Sequence, residues 1–171
     1  MKKLFSLVLA CCLTLGLSGA VWAVQKPSLS TEILDLLDDY INVQYEMPRD
    51  KESSWVIGGG VADYGVYDLD VTMIGIYGGY RKYINNVFKY QAKPLEGFYA
   101  EGKAGLAFVD TNYAGDDTNV FLGGEFGYKH QFDGGFMLEG GLDICYFSGD
   151  DRGDYESGTD VDLTLRLGYT W

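Results

Sequence analysis

The stretch Asp160-Val161-Asp162-Leu163-Thr164-Leu165-Arg166-Leu167-Gly168-Tyr169-Thr170-Trp171 alternates without a break. Val161, Leu163, Leu165, Leu167, Tyr169 and Trp171 share one face; Asp160, Asp162, Thr164, Arg166, Gly168 and Thr170 share the other. Successive side chains of a β-strand point to opposite faces, so the segment reads as a strand with one apolar and one polar side. Helical winding would instead scatter its charges around the circumference.

The same period recurs upstream. Phe136 to Phe147 sets Leu138, Leu142 and Ile144 against Glu139 and Asp143, and Val120 to Gln131 sets Leu122, Phe126 and Tyr128 against Glu125 and Lys129. Asp133-Gly134-Gly135 between them is a tight hairpin signal, because Gly and Asp tolerate the positive φ that such turns need. Phe98 to Val109 places Glu101 and Lys103 on one face, and Ile41 to Met47 opposes Ile41, Val43 and Tyr45 to Asn42, Gln44 and Glu46. Trp55 to Ala62 and Leu69 to Tyr83 are strand-like but interrupted by Gly. In the second, an inward Arg81 takes Met73 and Tyr77 inward with it and leaves Ile74, Ile76 and Tyr80 outward. Pro27, Pro48 and Pro94 are expected in the leading segment or in connections, since Pro cannot donate to a strand ladder.

The connections differ in length and charge. Asp110 to Thr118 and Ser148 to Thr159 read as long acidic loops and 133–135 as a minimal turn, the asymmetry of barrels with short periplasmic turns and longer external loops. An even strand number then requires one more strand before Ile41. Ser28 to Asp35 is the candidate, and it competes with a helix because Ile33, Leu36, Leu37 and Ile41 also repeat at helical spacing.

Composition narrows the class. The 171 residues include 24 Gly and 14 Tyr, and the formal charge is −12. Such acidity argues against nucleic acid as a partner, because phosphates call for a basic face. After the first residues no run approaches the ~20 apolar residues of a spanning helix. Met1-Lys2-Lys3, the apolar stretch Leu4 to Gly19 and Val21-Trp22-Ala23 have the plan of a secretory signal cut after Ala23. A membrane anchor, or lipidation at Cys11, are the other readings of that run. Its removal leaves residues 24–171 as one barrel domain and Cys145 as the single cysteine, which excludes an internal disulfide. Cys145 itself reads as a small buried hydrophobe.

Taken together, Ile41 to Glu46, Gly79-Tyr80-Arg81-Lys82-Tyr83, Leu95 to Tyr99, Gly127-Tyr128-Lys129 with Asp133 to Phe136, and Leu165 to Trp171 resemble the small outer-membrane β-barrels of Gram-negative bacteria, of the OmpA-transmembrane and OmpX type. The resemblance spans nearly all of the chain after the signal. It implies an all-β fold, a closed antiparallel up-and-down transmembrane barrel of eight strands. It further implies lipid and lipopolysaccharide as surroundings, and a closing Tyr169 and Trp171 similar to the signal read by the outer-membrane assembly machinery.

A barrel of that size has an interior only wide enough for its own side chains. Glu46, Arg81, Glu101, Lys103, Glu125, Lys129, Glu139, Asp143, Asp162 and Arg166 are the expected lumen set, and buried charges are costly unless paired. No catalytic residue or cofactor is expected, and the predicted role is non-enzymatic: envelope structure or surface interaction. Two alternatives come from other classes. One is a lipid-modifying barrel enzyme of the lipid A deacylase kind, which needs a His near a Ser, whereas His130, on the predicted lipid-facing side, is followed by Gln131 and Phe132 with no serine from Asn119 to Glu139. The other is a soluble exported barrel holding a small ligand. Asp110, Asp116 and Asp117, with Asp150, Asp151, Asp154, Glu156 and Asp160, could attract divalent cations, but they lack the ligand spacing of a calcium loop and read first as solvated loops. Arg152-Gly153-Asp154, a tripeptide that integrins read, arises easily by chance in such a loop.

Overall fold

In a computed structural model, residues 26–38, 40–66, 69–85, 87, 93–111, 115–148 and 157–171 are described. The expected signal segment 1–23, the acids Asp150, Asp151, Asp154 and Glu156, and Arg152-Gly153-Asp154 lie outside them.

Eight strands form one closed barrel in chain order: β1 Ser28–Glu32, β2 Tyr40–Pro48, β3 Ser53–Val66, β4 Leu69–Tyr83, β5 Gly97–Thr111, β6 Gly115–Gln131, β7 Phe136–Ser148 and β8 Gly158–Thr170. Every neighbouring pair is antiparallel, and β1 closes the wall against β8. The strands are strongly tilted. Following the register from Ser30 leads through Gln44, Gly58, Tyr77, Gly105, Phe121 and Phe147 to Gly158, whereas Ser30's own partner on β8 is Gly168. That displacement is the stagger a closed barrel requires.

Alternation decides which side of the wall each residue takes. Trp55, Ile57, Ile76, Leu122, Phe126, Leu142, Ile144, Val161 and Leu163 are exposed on the outside, while Gln44, Glu46, Arg81, Glu101, Glu125, Lys129, Glu139 and Arg166 are buried inside. The polarity of a water-soluble core is thus reversed. The outer band has defined limits: an aromatic belt near the chain termini, where Trp55 meets Tyr80, Phe98 meets Tyr128 and Phe136 meets Tyr169, and at the far end a change to exposed Asp63, Asp110, Thr118 and Thr159.

Four local expectations need correction or completion. The leading strand is shorter than Ser28 to Asp35: β1 stops at Glu32, and Asp35–Asp38 forms a 3-10 turn, so both periodicities of that segment are used in succession. The predicted loop Asp110 to Thr118 is mostly strand among its described residues, with Asp110 paired across to Asp116 and β6 beginning at Gly115. The length asymmetry therefore rests on fewer connections than expected, and the segment 84–96 at the terminal end is itself long. Pro48 is the last residue of β2, opposite Ser54, a strand end where its missing N–H is tolerated.

The hairpin at 133–135 forms as read. Gly134 and Gly135 have φ of 103° and 95°, and the Phe132 N–H bonds the Phe136 carbonyl at 2.8 Å. Outside the strands, a bond from the Lys93 ammonium holds the Asp133 carboxyl below its ordinary value.

Candidate functional site

The inner faces of all eight strands converge on one ionic network. Arg81, wholly buried on β4, donates from Nε to Glu101 at 2.8 Å and from Nη1 to Glu139 at 2.9 Å, and lies 3.6 Å from Glu46. Its guanidinium also sits 3.9 Å over the Tyr99 ring, the geometry that best fits a planar cation to an aromatic face. Lys129 donates to Glu46 at 2.6 Å and to the Ser28 hydroxyl at 3.0 Å. Arg166 grips Glu125 with two bonds of 2.7 and 2.8 Å, a bidentate fork, and its Nε approaches Glu32 at 3.1 Å.

Hydroxyl groups complete the carboxylates. Glu46 accepts from Ser54 at 2.5 Å, Tyr83 at 2.9 Å and Ser28 at 3.2 Å; Glu125 accepts from Tyr99 at 2.5 Å and Thr164 at 3.2 Å. Tyr77 donates to Gln44 at 2.9 Å. Glu32 also accepts the Leu165 backbone N–H, tying the end of β1 to β8. Acids outnumber bases here: Glu32, Glu46, Glu101, Glu125 and Glu139 surround Arg81, Lys129 and Arg166. Gln44 Nε2, Arg81 Nη2 and Glu101 Oε1 are left without a hydrogen-bond partner among the described residues.

The ten charged residues read from sequence fall into three places. Glu46, Arg81, Glu101, Glu125, Lys129, Glu139 and Arg166 form the buried network. Lys103 and Asp143 pair at 2.7 Å one step further from the terminal end, with the Cys145 thiol donating to the same carboxylate at 3.4 Å. Cys145 is thus a lumen residue in a polar setting. Asp162 shares that inner face, opposite Asp143, but is exposed and takes no part in the buried network.

Parity in the sequence already turns Tyr77 and Gln44 inward, but their mutual hydrogen bond and the roles of Glu32, Tyr83 and Tyr99 in the network were not read from it. Parity could have found them: Glu32 follows Ser28 and Ser30, Gln44 shares a face with Glu46, and the tyrosines share faces with Arg81 or Glu101. Tyr83 and Tyr99 are ambiguous by residue type because tyrosine is at home in lipid as well, and Glu32 lies in a segment with two competing periods.

Small residues make room for the large ones. A Cβ on Gly127 would stand 2.5 Å from the Tyr99 hydroxyl and 2.8 Å from the Gly140 carbonyl, and one on Gly141 would stand 2.9 Å from Glu125. Gly127→Ala should therefore displace Tyr99 from Glu125 and lower stability by about 1–3 kcal/mol, measured by urea titration of the folded barrel in detergent. An unchanged midpoint would mean the lumen yields there.

Tyr169 and Trp171 lie at the terminal rim. Tyr169 faces outward against Phe136, and Trp171 stacks 6.2 Å from Tyr45 while its N–H bonds the Pro27 carbonyl at 3.3 Å. His130 is at the same end, its Nδ1 3.1 Å from Glu96 and its ring edge-on to Phe132. Among the described residues no group of three or more His, Cys, Asp or Glu side chains is arranged to hold a metal ion.

No family model matches the chain, and no curated protein sequence matches it. Solved structures do. The outer-membrane protein Ail of Yersinia pestis, determined in a phospholipid bilayer nanodisc, superposes with a TM-score of 0.54 at 12% identity, over 86% of this chain and 99% of that one. The N-terminal β-barrel domain of Pseudomonas aeruginosa OprF gives 0.51 at 13% identity, over 86% and 98%. With the closed register above, these likenesses give the chain the eight-stranded, all-antiparallel fold found in small outer-membrane barrels.

Proposed function

We propose that this chain is an exported, non-enzymatic protein of the bacterial outer membrane. In this reading residues 1–23 are removed on export, and residues 24–171 form a sealed barrel that serves envelope structure or surface interaction. The observation that carries the reading is the reversed polarity of the wall: a continuous apolar band outside a buried ionic network. Water would leave that band unsatisfied, whereas lipid matches it, and a closed barrel leaves few backbone groups unpaired in lipid. Short ion pairs across the lumen support a plug more than a passage.

Lipid and lipopolysaccharide are then the surroundings, and Tyr169 and Trp171 the residues offered to the assembly machinery. Divalent cations at the acidic far end have the support of charge alone. The deacylase alternative gains nothing from His130, which stands at the terminal rim against Glu96 and Phe132. The soluble-carrier alternative leaves the apolar band unexplained.

The purified barrel should float with phospholipid vesicles and migrate faster on gels before heating than after. Recovery in the soluble periplasmic fraction would overturn the reading. Lipid A mass spectrometry of a deletion strain tests the enzymatic alternative, and its sensitivity to envelope stress tests the structural role.

A further inference from the structure

The wall is not equally high all round. β1 pairs with β8 only from Ser28↔Thr170 to Glu32↔Arg166, followed by a bond from the Ile33 N–H to the Leu165 carbonyl at 2.8 Å, while β8 continues to Gly158. Alternate residues of a strand send their N–H and C=O to the same side, so Leu163 and Val161 turn these groups toward the place where β1 is missing. The Val161 N–H is taken by the carboxylate of its neighbour Asp160 at 2.9 Å. The Leu163 N–H and C=O have no partner among the described residues. Residues 158–163 are exposed on both faces, and Leu163 is 73% exposed.

This edge lies inside the apolar band, between Leu165 and the polar Thr159. If the wall is lipid-embedded, as proposed above, backbone groups at that depth require a partner. A free strand edge is a template for one more strand. The side chains set its character: Val161 and Leu163 face outward, while Asp160 and Asp162 face inward, and Asp162 stands opposite Asp143, whose cation Lys103 is already engaged.

We propose that the free edge of β8 over Gly158–Thr164 is a binding site for an extended cationic peptide, added as a strand, with apolar side chains toward lipid alternating with Lys or Arg toward Asp160 and Asp162. Anionic lipid headgroups fit this edge poorly, because the acids oppose them.

The test uses the barrel in zwitterionic nanodiscs and a labelled synthetic peptide of alternating Lys and Val, with its Glu and Val counterpart, read by fluorescence anisotropy. The Lys peptide should bind saturably and the Glu peptide should not. Leu163→Pro removes an N–H on the open side only and leaves the β7 ladder whole, so it should weaken binding about tenfold or more without changing heat-dependent mobility. The double variant D160N/D162N should weaken it comparably. Exchange of the Leu163 amide in the unmodified barrel should slow on adding the Lys peptide, which decides the matter even where Leu163→Pro fails to fold. Equal binding of both peptides overturns the proposal, as does a Leu163 amide indifferent to the peptide or already protected in the nanodisc. Protection that appears with lipopolysaccharide and not with peptide overturns it in favour of a lipid occupant. Failure of the barrel to enter nanodiscs refutes the membrane reading itself, a result distinct from all of these.

Discussion

Arg81→Ala should be the most damaging single truncation in the lumen. It leaves Glu101, Glu139 and Glu46 facing one another in a space with no access to water, and it strips the cation from the face of Tyr99. Removing one partner of a buried ion pair costs about 3–5 kcal/mol, mostly from the charge left behind. The comparison is Lys82→Ala on the same strand, which breaks a pair with Glu52 whose side chains are half exposed and which is worth about 0–1 kcal/mol. Urea titration in detergent should show a large fall in midpoint for the first and almost none for the second. Equal midpoints would mean that water reaches Arg81. The double variant R81M/E139Q should recover part of the loss, because it removes charges together.

Leu165→Arg should be the most damaging change on the outer wall. Leu165 stands on β8 midway between Trp171 near the aromatic belt and Thr159 at the polar limit, so under the membrane reading its side chain lies near the middle of the apolar band. An arginine at that depth costs about 2–4 kcal/mol, while near either limit the cost falls to about 0–1 kcal/mol. Val120→Arg, closer to the far limit on β6, should accordingly be milder. The folded fraction on refolding into vesicles measures both. Matching losses would show that the two positions lie at one depth, against the registers described.

The wall was far easier to read than its contents. In β8, Arg166 sits between Leu165 and Leu167, and a period of two leaves its direction no choice; the same holds for Glu125, Lys129 and Glu139. Which carboxylate each cation would choose was not legible, since Arg166 meets Glu125 from β6 and Glu32 from β1, and only the register between strands decides that. Tyr99 illustrates a second limit. Its ring suits lipid and its hydroxyl suits Glu125, so residue type alone does not assign its side. Asp110 and Gly115 to Thr118 read as loop because Asp and Gly signal loops by composition, whereas at the end of a barrel wall they also serve as strand residues.

The network also carries a time order. Lys129 joins Ser28 across 101 positions of sequence and Glu46 across 83, and Glu32 reaches Leu165 across 133. None of these links can exist in a hairpin or in an open sheet; they need the first strand to have met the last. Arg81 and Glu101, on neighbouring strands, can pair before closure, whereas the groups joined by these long links should stay hydrated until the barrel closes. A barrel so made should be slow to complete and far slower to open, because the first strand cannot leave until several buried ions are rehydrated.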